Sequence, residues 1–151
     1  MLTMIPSTAA GGKLYIGRAP RLQGARLAPD DLDTLRAHQI GCVVCLLEVP
    51  DHRLQPAIEA AGMAWVWCPV EDYGVPSAEQ HAVLAERIAQ RRQSGCHVYV
   101  HCMAGLGRSG TIAACTLVEE GLQGDQAIDL VRRARPGAIE TDTQEAFIRQ
   151  W

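Results

Sequence analysis

The chain has almost no lysine, few aromatic residues and no long apolar run. Of its 14 lysine and arginine residues only Lys13 is lysine, and aromatic residues make up 5% of the sequence. A formal net charge of -3 lacks the basic excess that a nucleic acid or an anionic membrane would call for, so neither is an expected partner. No stretch approaches the roughly 18 apolar residues that a membrane-spanning helix requires. Met1 to Gly12 has no basic segment followed by an apolar one, so no secretory leader is read there and a cytoplasmic location is expected. In that setting the 6 cysteines read as reduced thiols rather than as a disulfide framework. No repeat, low-complexity tract or linker divides the 151 residues, so one domain is expected over 1–151, with 1–12 as an irregular N-terminal segment.

What is present is an alternation of strand-like and helix-like segments. Leu14 to Gly17 is short and β-prone, and Gly41 to Leu47 is the continuous apolar run of a strand buried on both faces. Met63 to Val70 and His97 to His101 read as further strands. Helices are predicted over Pro29 to His38, Asp51 to Ala61, Ser77 to about Ser94, Ser109 to Glu120, Asp125 to Ala134, and Thr141 to the C-terminus. Ser77 with Gln80 has the form of a capping box. The alternation predicts an α/β domain with a central, mostly parallel sheet of four to five strands flanked by helices.

The segment His101-Cys102-Met103-Ala104-Gly105-Leu106-Gly107-Arg108-Ser109-Gly110 leaves a predicted strand and enters a predicted helix, where α/β proteins place ligands. Cys102 and Arg108 bracket five residues, of which two are glycine and one is alanine. Such a loop can curl so that the amides of Met103, Ala104, Gly105, Leu106 and Gly107 point inward as an anion-binding nest. The start of the next helix adds partial positive charge at the same spot. Arg108 can close the site with a bidentate grip that lysine could not match. The same surroundings favour the thiolate form of a cysteine, the form that acts as nucleophile. Expelling an alkoxide or phenoxide also needs a proton donor, and Glu71 and Asp72 lie on a connecting loop before Ser77, with Gly74 as hinge and Pro76 stiffening its far end.

These residues resemble the signature of the protein tyrosine and dual-specificity phosphatases. The likeness extends over CPVEDYGVPS (Cys68 to Ser77), GLGRSGTIAAC (Gly105 to Cys115) and AIETDTQEAFI (Ala138 to Ile148), nearest the group of the kinase-associated phosphatase and bacterial dual-specificity-like enzymes. The resemblance implies Cys102 as the nucleophile that takes the phosphoryl group and Arg108 as the residue that binds phosphate and the transition state. It implies Ser109 as a hydrogen-bond donor to the thiolate, His101 as the residue ordering the cysteine from behind, and Asp72 as general acid, with Glu71 as runner-up. Gln144 falls where relatives carry a glutamine near the hydrolytic water. The implied function is hydrolysis of phosphotyrosine, and of phosphoserine or phosphothreonine, in a phosphorylated protein or peptide, without a cofactor.

Other readings attach to the same residues. A phosphoprotein-binding module without turnover would use the same nest and arginine. Arsenate-reducing relatives carry such a loop near the N-terminus, whereas here it begins at Cys102. Phosphoinositide phosphatases tend to carry basic residues inside the loop, where this chain has Met103, Ala104 and Leu106. Cys42 and Cys45 have the spacing of half a zinc site, but no second close pair accompanies them, so no metal is expected. Arg91-Arg92 and Arg132-Arg133 read as solvated helix faces. Relatives line the site's entrance with the segment after the first strand, so the resemblance implies Arg18 or Arg21 as recruiting phosphorylated substrate, with a bare surface role as the alternative.

Overall fold

The computed structural model describes Met1–Trp151. Four parallel strands form the centre: β2 (Leu14–Gly17), β7 (His97–His101), β5 (Ile40–Cys45) and β6 (Ala64–Trp67) lie side by side in that order. A fifth strand, β1 (Leu2–Ile5), pairs antiparallel with β2, Leu2 opposite Gly17 and Ile5 opposite Leu14. The N-terminal segment is therefore irregular only after Ile5. A short stretch of backbone bonding to an exposed strand edge leaves no hydrophobic pattern to read, which is why composition did not reveal it. A small hairpin of β3 (Leu22–Gln23) and β4 (Arg26–Leu27) was likewise not anticipated.

Six helices cover the sheet: α1 (Pro29–Ala37), α2 (Leu54–Ala60), α3 (Ala78–Gln93), α4 (Gly107–Glu119), α5 (Gly124–Ala134) and α6 (Asp142–Gln150). The period-2 alternation of the strands sends alternate residues to two cores. Val44, Val98 and Val100 join Ile112, Leu117, Ile128 and Ile148 on the face of α3 to α6. Val43, Tyr15 and Tyr99 join Leu35, Leu54 and Ile58 on the face of α1 and α2. The whole is a single α/β layer structure, as the alternation predicted.

Helix starts follow local chemistry. Ser77 accepts from the amide of Gln80 and Gln80 returns the bond to Ser77, so the predicted capping box forms. Thr141 and Gln144 do the same at α6. The helix after β7 begins at Gly107, two residues ahead of the predicted start, and that shift matters for the site.

Two readings of basic residues are corrected. Arg92 is buried, bonded by Nε to the Gly12 carbonyl at 2.8 Å and by Nη1 to Glu120 at 2.6 Å, because the N-terminal segment folds back over α3. Arg132 is also no plain surface group: it donates to the carbonyls of Ala138 (3.1 Å) and Ile139 (2.7 Å) and pairs with Glu145 at 2.7 Å.

Candidate active site

The loop between β7 and α4 owes its shape to its carbonyls. Cys102 O accepts from His101 Nδ1 at 3.0 Å, and Met103 O from the Ala19 amide at 3.0 Å. Ala104 O and Gly105 O both accept from Arg135, at 3.2 and 2.5 Å. Leu106 O takes the amides of Gly110 and Ile139, and Gly107 O takes Thr111 Oγ1 at 2.7 Å. With every carbonyl from Cys102 to Gly107 drawn to the protein side, the peptide units turn their N–H groups the other way. The amides of Met103 to Leu106 donate to no carbonyl of the chain. They form, with the first turn of α4, an anion nest.

Two features make that curl possible. Gly105 has φ +76, a region costly for other residues, and a Cβ there would overlap the backbone of Gly17. The Gly17–Ala19 segment is itself fixed by the Tyr99 hydroxyl, which donates to Arg18 O. Arg135, whose Nη1 also reaches Thr3 Oγ1 at 2.9 Å, was not among the residues singled out from sequence. Its only sequence signal is its place ahead of Pro136-Gly137, and the role depends on a contact across 30 residues of chain.

Cys102 lies 3% exposed at the base of the nest, with Sγ 3.4 Å from Ser109 Oγ. Because α4 starts at Gly107, Ser109 sits in its first turn with its hydroxyl toward the thiol, and it is not the helix N-cap; that position is Leu106. His101 is fully buried, and burial pushes its pKa down to about 4. Since a carbonyl can only accept, Nδ1 carries the proton, and the ring is neutral near pH 7. It orders the cysteine by hydrogen bonding to the Cys102 carbonyl and brings no positive charge to the thiol.

Arg108, in the first turn of α4 and only 6% exposed, reaches across to the loop carrying the candidate acid. Its Nη1 donates to Val70 O at 3.1 Å and its Nη2 lies 3.3 Å from Asp72 Oδ1. Asp72 is solvent-facing, while its neighbour Glu71 has no contact with Arg108. Gln144 is fully buried and accounts for the far wall: Nε2 donates to Gly74 O at 3.2 Å, and Oε1 accepts from the amides of Glu140 and Thr141. It thereby ties the Asp72 loop to α6, a bond joined by Thr141 Oγ1 to Tyr73 O at 3.2 Å.

The expectation for Arg18 and Arg21 changes. Arg18 makes a two-pronged pair with Asp31 at 2.7 and 2.9 Å, and Arg21 donates to the same carboxylate. Burial of Asp31 opposes its charge, but the two guanidiniums outweigh it and hold the carboxyl well below the usual range. Both arginines are thus committed to a buried anion. Cys42 and Cys45 are buried thiols whose pKa burial raises to about 11.

A thiol at the base of an outward-braced amide nest, closed by an arginine that follows five residues later, defines the cysteine-based phosphatase domains as a class. The family model described as "Swiss Army Knife protein, DSP-PTPase phosphatase domain" matches residues 22–148, and the chain belongs to this dual-specificity-type phosphatase domain family. Among solved structures, Tk-PTP in its active form is 34% identical, with a TM-score of 0.78 over 92% of this chain and 90% of its own. Kinase associated phosphatase superposes with a TM-score of 0.86 at 22% identity, covering 99% and 92%, a likeness of fold. Protein tyrosine phosphatase domain-containing protein 1 of Mus musculus is 35% identical over 104 residues, which is 68% of this chain and 13% of that one. The aligned part is between 11% and 58% of the length of the first curated relatives the chain matches.

Proposed function

We propose that this chain hydrolyses phosphotyrosine, and also phosphoserine or phosphothreonine, in proteins through a phosphocysteine on Cys102. The observation that carries the reading is the bracing of every loop carbonyl away from the Cys102 thiol, which leaves a cluster of amide donors facing it beside Arg108. Phosphoryl transfer needs little from a protein beyond in-line positioning and charge stabilisation, and this cluster offers both. In the first step the Cys102 thiolate attacks phosphorus, the bond to the leaving oxygen breaks, and Asp72 gives that oxygen a proton. In the second, water attacks the phosphocysteine and the sulfur leaves as thiolate, with the Ser109 hydroxyl 3.4 Å away to hydrogen-bond it.

Arg108 is the link between binding and acid placement. An incoming phosphate competes for the guanidinium that now pairs with Asp72, so substrate binding releases the carboxylate, which takes up a proton from solvent and, protonated, gives it to the leaving oxygen. A short chain without insertions around the nest suits a site open to more than one phosphorylated side chain. The thiolate chemistry and the six unpaired cysteines suit a reducing, cytoplasmic setting.

The test is turnover of p-nitrophenyl phosphate and of phosphopeptides by the reduced protein from about pH 5 to 8, beside Cys102→Ser and Asp72→Asn. Activity should vanish in Cys102→Ser. In Asp72→Asn it should fall by about 10²- to 10⁴-fold for alkyl leaving groups and far less for p-nitrophenolate, which leaves without a proton. A wild type that binds vanadate yet turns nothing over favours a phosphoprotein-binding module instead.

A further inference from the structure

The sheet is left open along one side. β6 is its outer strand there and pairs only with β5. The amides of Cys68 and Val70 donate to Cys45 O and Leu46 O, both at 3.0 Å, so the even-numbered residues of this stretch bond inward. By the alternation of a strand, the peptide groups of Trp65 and Trp67 then face outward, with no partner in the chain. The Trp67 indole does not cover them, because its Nε1 donates to Leu47 O at 2.8 Å and draws the ring back towards β5. Beside this edge a groove of about 370 Å³ opens between β6 and α3, with Val66, Cys68 and Pro69 on its strand side and Val83 and Leu84 on its helix side.

The groove is continuous with the active site. Pro69 closes its near end, and the next residue, Val70, holds Arg108 Nη1 on its carbonyl at 3.1 Å. Of the large apolar side chains left exposed, all but Met4 lie along this route. Trp67 and Val83 stand at the groove, and Val49, Tyr73 and Met103 are next in sequence to Glu48, Asp72 and Cys102. The Glu48 carboxylate in turn meets the Asp72 amide at 3.4 Å. A small phosphate ester would leave this apolar route uncovered, whereas an extended protein segment would bury it.

We infer that the β6 edge and its groove dock the segment of the phosphoprotein substrate that flanks the phosphorylated residue, added as a strand with one apolar side chain seated in the groove. The inference rests on the phosphatase reading of Cys102 and names a feature of the substrate which that reading leaves open. β6 runs towards the site, and a strand advances about 3.3 Å per residue, so a segment anchored beside Trp67 reaches Arg108 within about four to six residues. Charge adds a second element of recognition. Glu79 and Arg87 both line the groove, neither forms an ion pair within the chain, and they stand about 12 Å apart along α3. Because α3 begins just after the Asp72 loop, Glu79 is the nearer to the site. The docked segment is therefore basic close to the phosphorylated residue and acidic beyond its apolar anchor.

The test begins with the reduced wild type acting on a library of peptides with a central phosphotyrosine and about eight degenerate residues on each side. The fastest members should carry an apolar residue about four to six positions from the phosphotyrosine. Truncating them to about two residues on each side should lower kcat/KM by at least about tenfold, mainly through KM. Val83→Arg, which fills the groove, should lose the same factor on the long peptide and keep turnover of p-nitrophenyl phosphate within about twofold of wild type. N-methylation of the peptide's anchoring backbone should cost as much as truncation, and Arg87→Glu should replace the selected acidic residue by a basic one. Equal kcat/KM for long and truncated peptides overturns the inference, as does a Val83→Arg protein, or an N-methylated peptide, as fast as its parent. An Arg87→Glu protein with an unchanged charge preference overturns it too. A wild-type dimer that Val83→Arg makes monomeric, with turnover of the long peptide unchanged, overturns it in favour of contact between copies of the chain. A wild type inactive on p-nitrophenyl phosphate overturns the phosphatase reading and this inference together; full activity there with no dependence on peptide length overturns this inference alone.

Discussion

His81 on α3 gives a prediction whose size follows from its surroundings. The ring is 1% exposed, edge-on to Phe147 at 5.4 Å and to Trp151 at 4.2 Å, and neither of its nitrogens has a hydrogen-bond partner. Burial lowers its pKa from 6.5 to about 4. As pH drops below 6.5 the unfolded chain binds a proton at this position and the native chain does not, so stability falls with pH until about 4 and is level below. The stability contributed by the neutral ring is thus fully present above pH 6.5 and gone below the folded value. Between pH 7 and 4.5 the loss is on the order of 2 kcal/mol, a sizeable part of the roughly 5–15 kcal/mol of a typical domain. The assay is urea unfolding of wild type and His81→Phe at pH 7, 5.5 and 4.5. The variant's stability relative to wild type should rise by about 2 kcal/mol across that interval, because phenylalanine keeps the apolar packing and takes no proton. His101, also buried and pushed down to about 4, is present in both proteins and cancels in the difference. A difference that does not change with pH would falsify the argument, since His81 would then titrate alike in both states. The contact matters beyond stability. It joins α3 to α6, the two helices between which the Asp72 loop is anchored through Gln144 and Thr141.

Three further outcomes follow from the packing. Gly105→Ala puts a methyl group into the Gly17 backbone at a positive φ, so vanadate affinity and turnover should both fall by at least about 100-fold; unchanged vanadate binding, measured by titration, would refute the need for that close approach. Arg135→Met removes the donors that turn the Ala104 and Gly105 carbonyls outward, each a bond to a charged group worth about 1.5–3 kcal/mol. Its kcat/KM should drop by about 10- to 100-fold and its thermal midpoint by at least about 5 °C, and Arg135→Lys should not restore activity because one ammonium cannot hold both carbonyls and Thr3. Arg92→Met strands the buried Glu120 carboxylate and should cost about 3–5 kcal/mol in chemical unfolding, whereas Arg92→Met with Glu120→Met should recover much of it.

Much of this protein was legible in its sequence because the relevant forces are local. Apolar runs such as Gly41 to Leu47 and HVYVH mark buried parallel strands, since a strand covered on both faces carries little polar alternation. Ser77 with Gln80 marks a helix start, because its bonds span three residues. The spacing of Cys102 and Arg108 across small residues marks a nest, because an amide cluster needs only short-range backbone curvature. Less was legible where an element gains its order from a partner far along the chain. The β1 edge strand exists through bonds to β2, and the first turn of α4 starts at Gly107 because the loop before it is braced from outside.

Charged residues divide most sharply along that line. From sequence alone, Arg92 and Arg132 are solvated surface cations and Arg18 and Arg21 stand free at the site's entrance, and nothing within a few residues says otherwise. Asp31, Glu120 and the carbonyls of Ala138 and Ile139 are what commit them, and each partner is supplied by the fold. Arg135 is the functional counterpart: it orients the nest through contacts that span some thirty residues of chain. The sequence by itself determined the chemistry available, a thiol, a guanidinium and a short loop of small residues between a strand and a helix. Only the tertiary structure decided which way the peptide groups of that loop face and which side chains stand around them. Hydrophobic pattern and loop composition are properties of neighbours in the chain, whereas the direction of an unpaired amide depends on whatever distant donor satisfies its carbonyl.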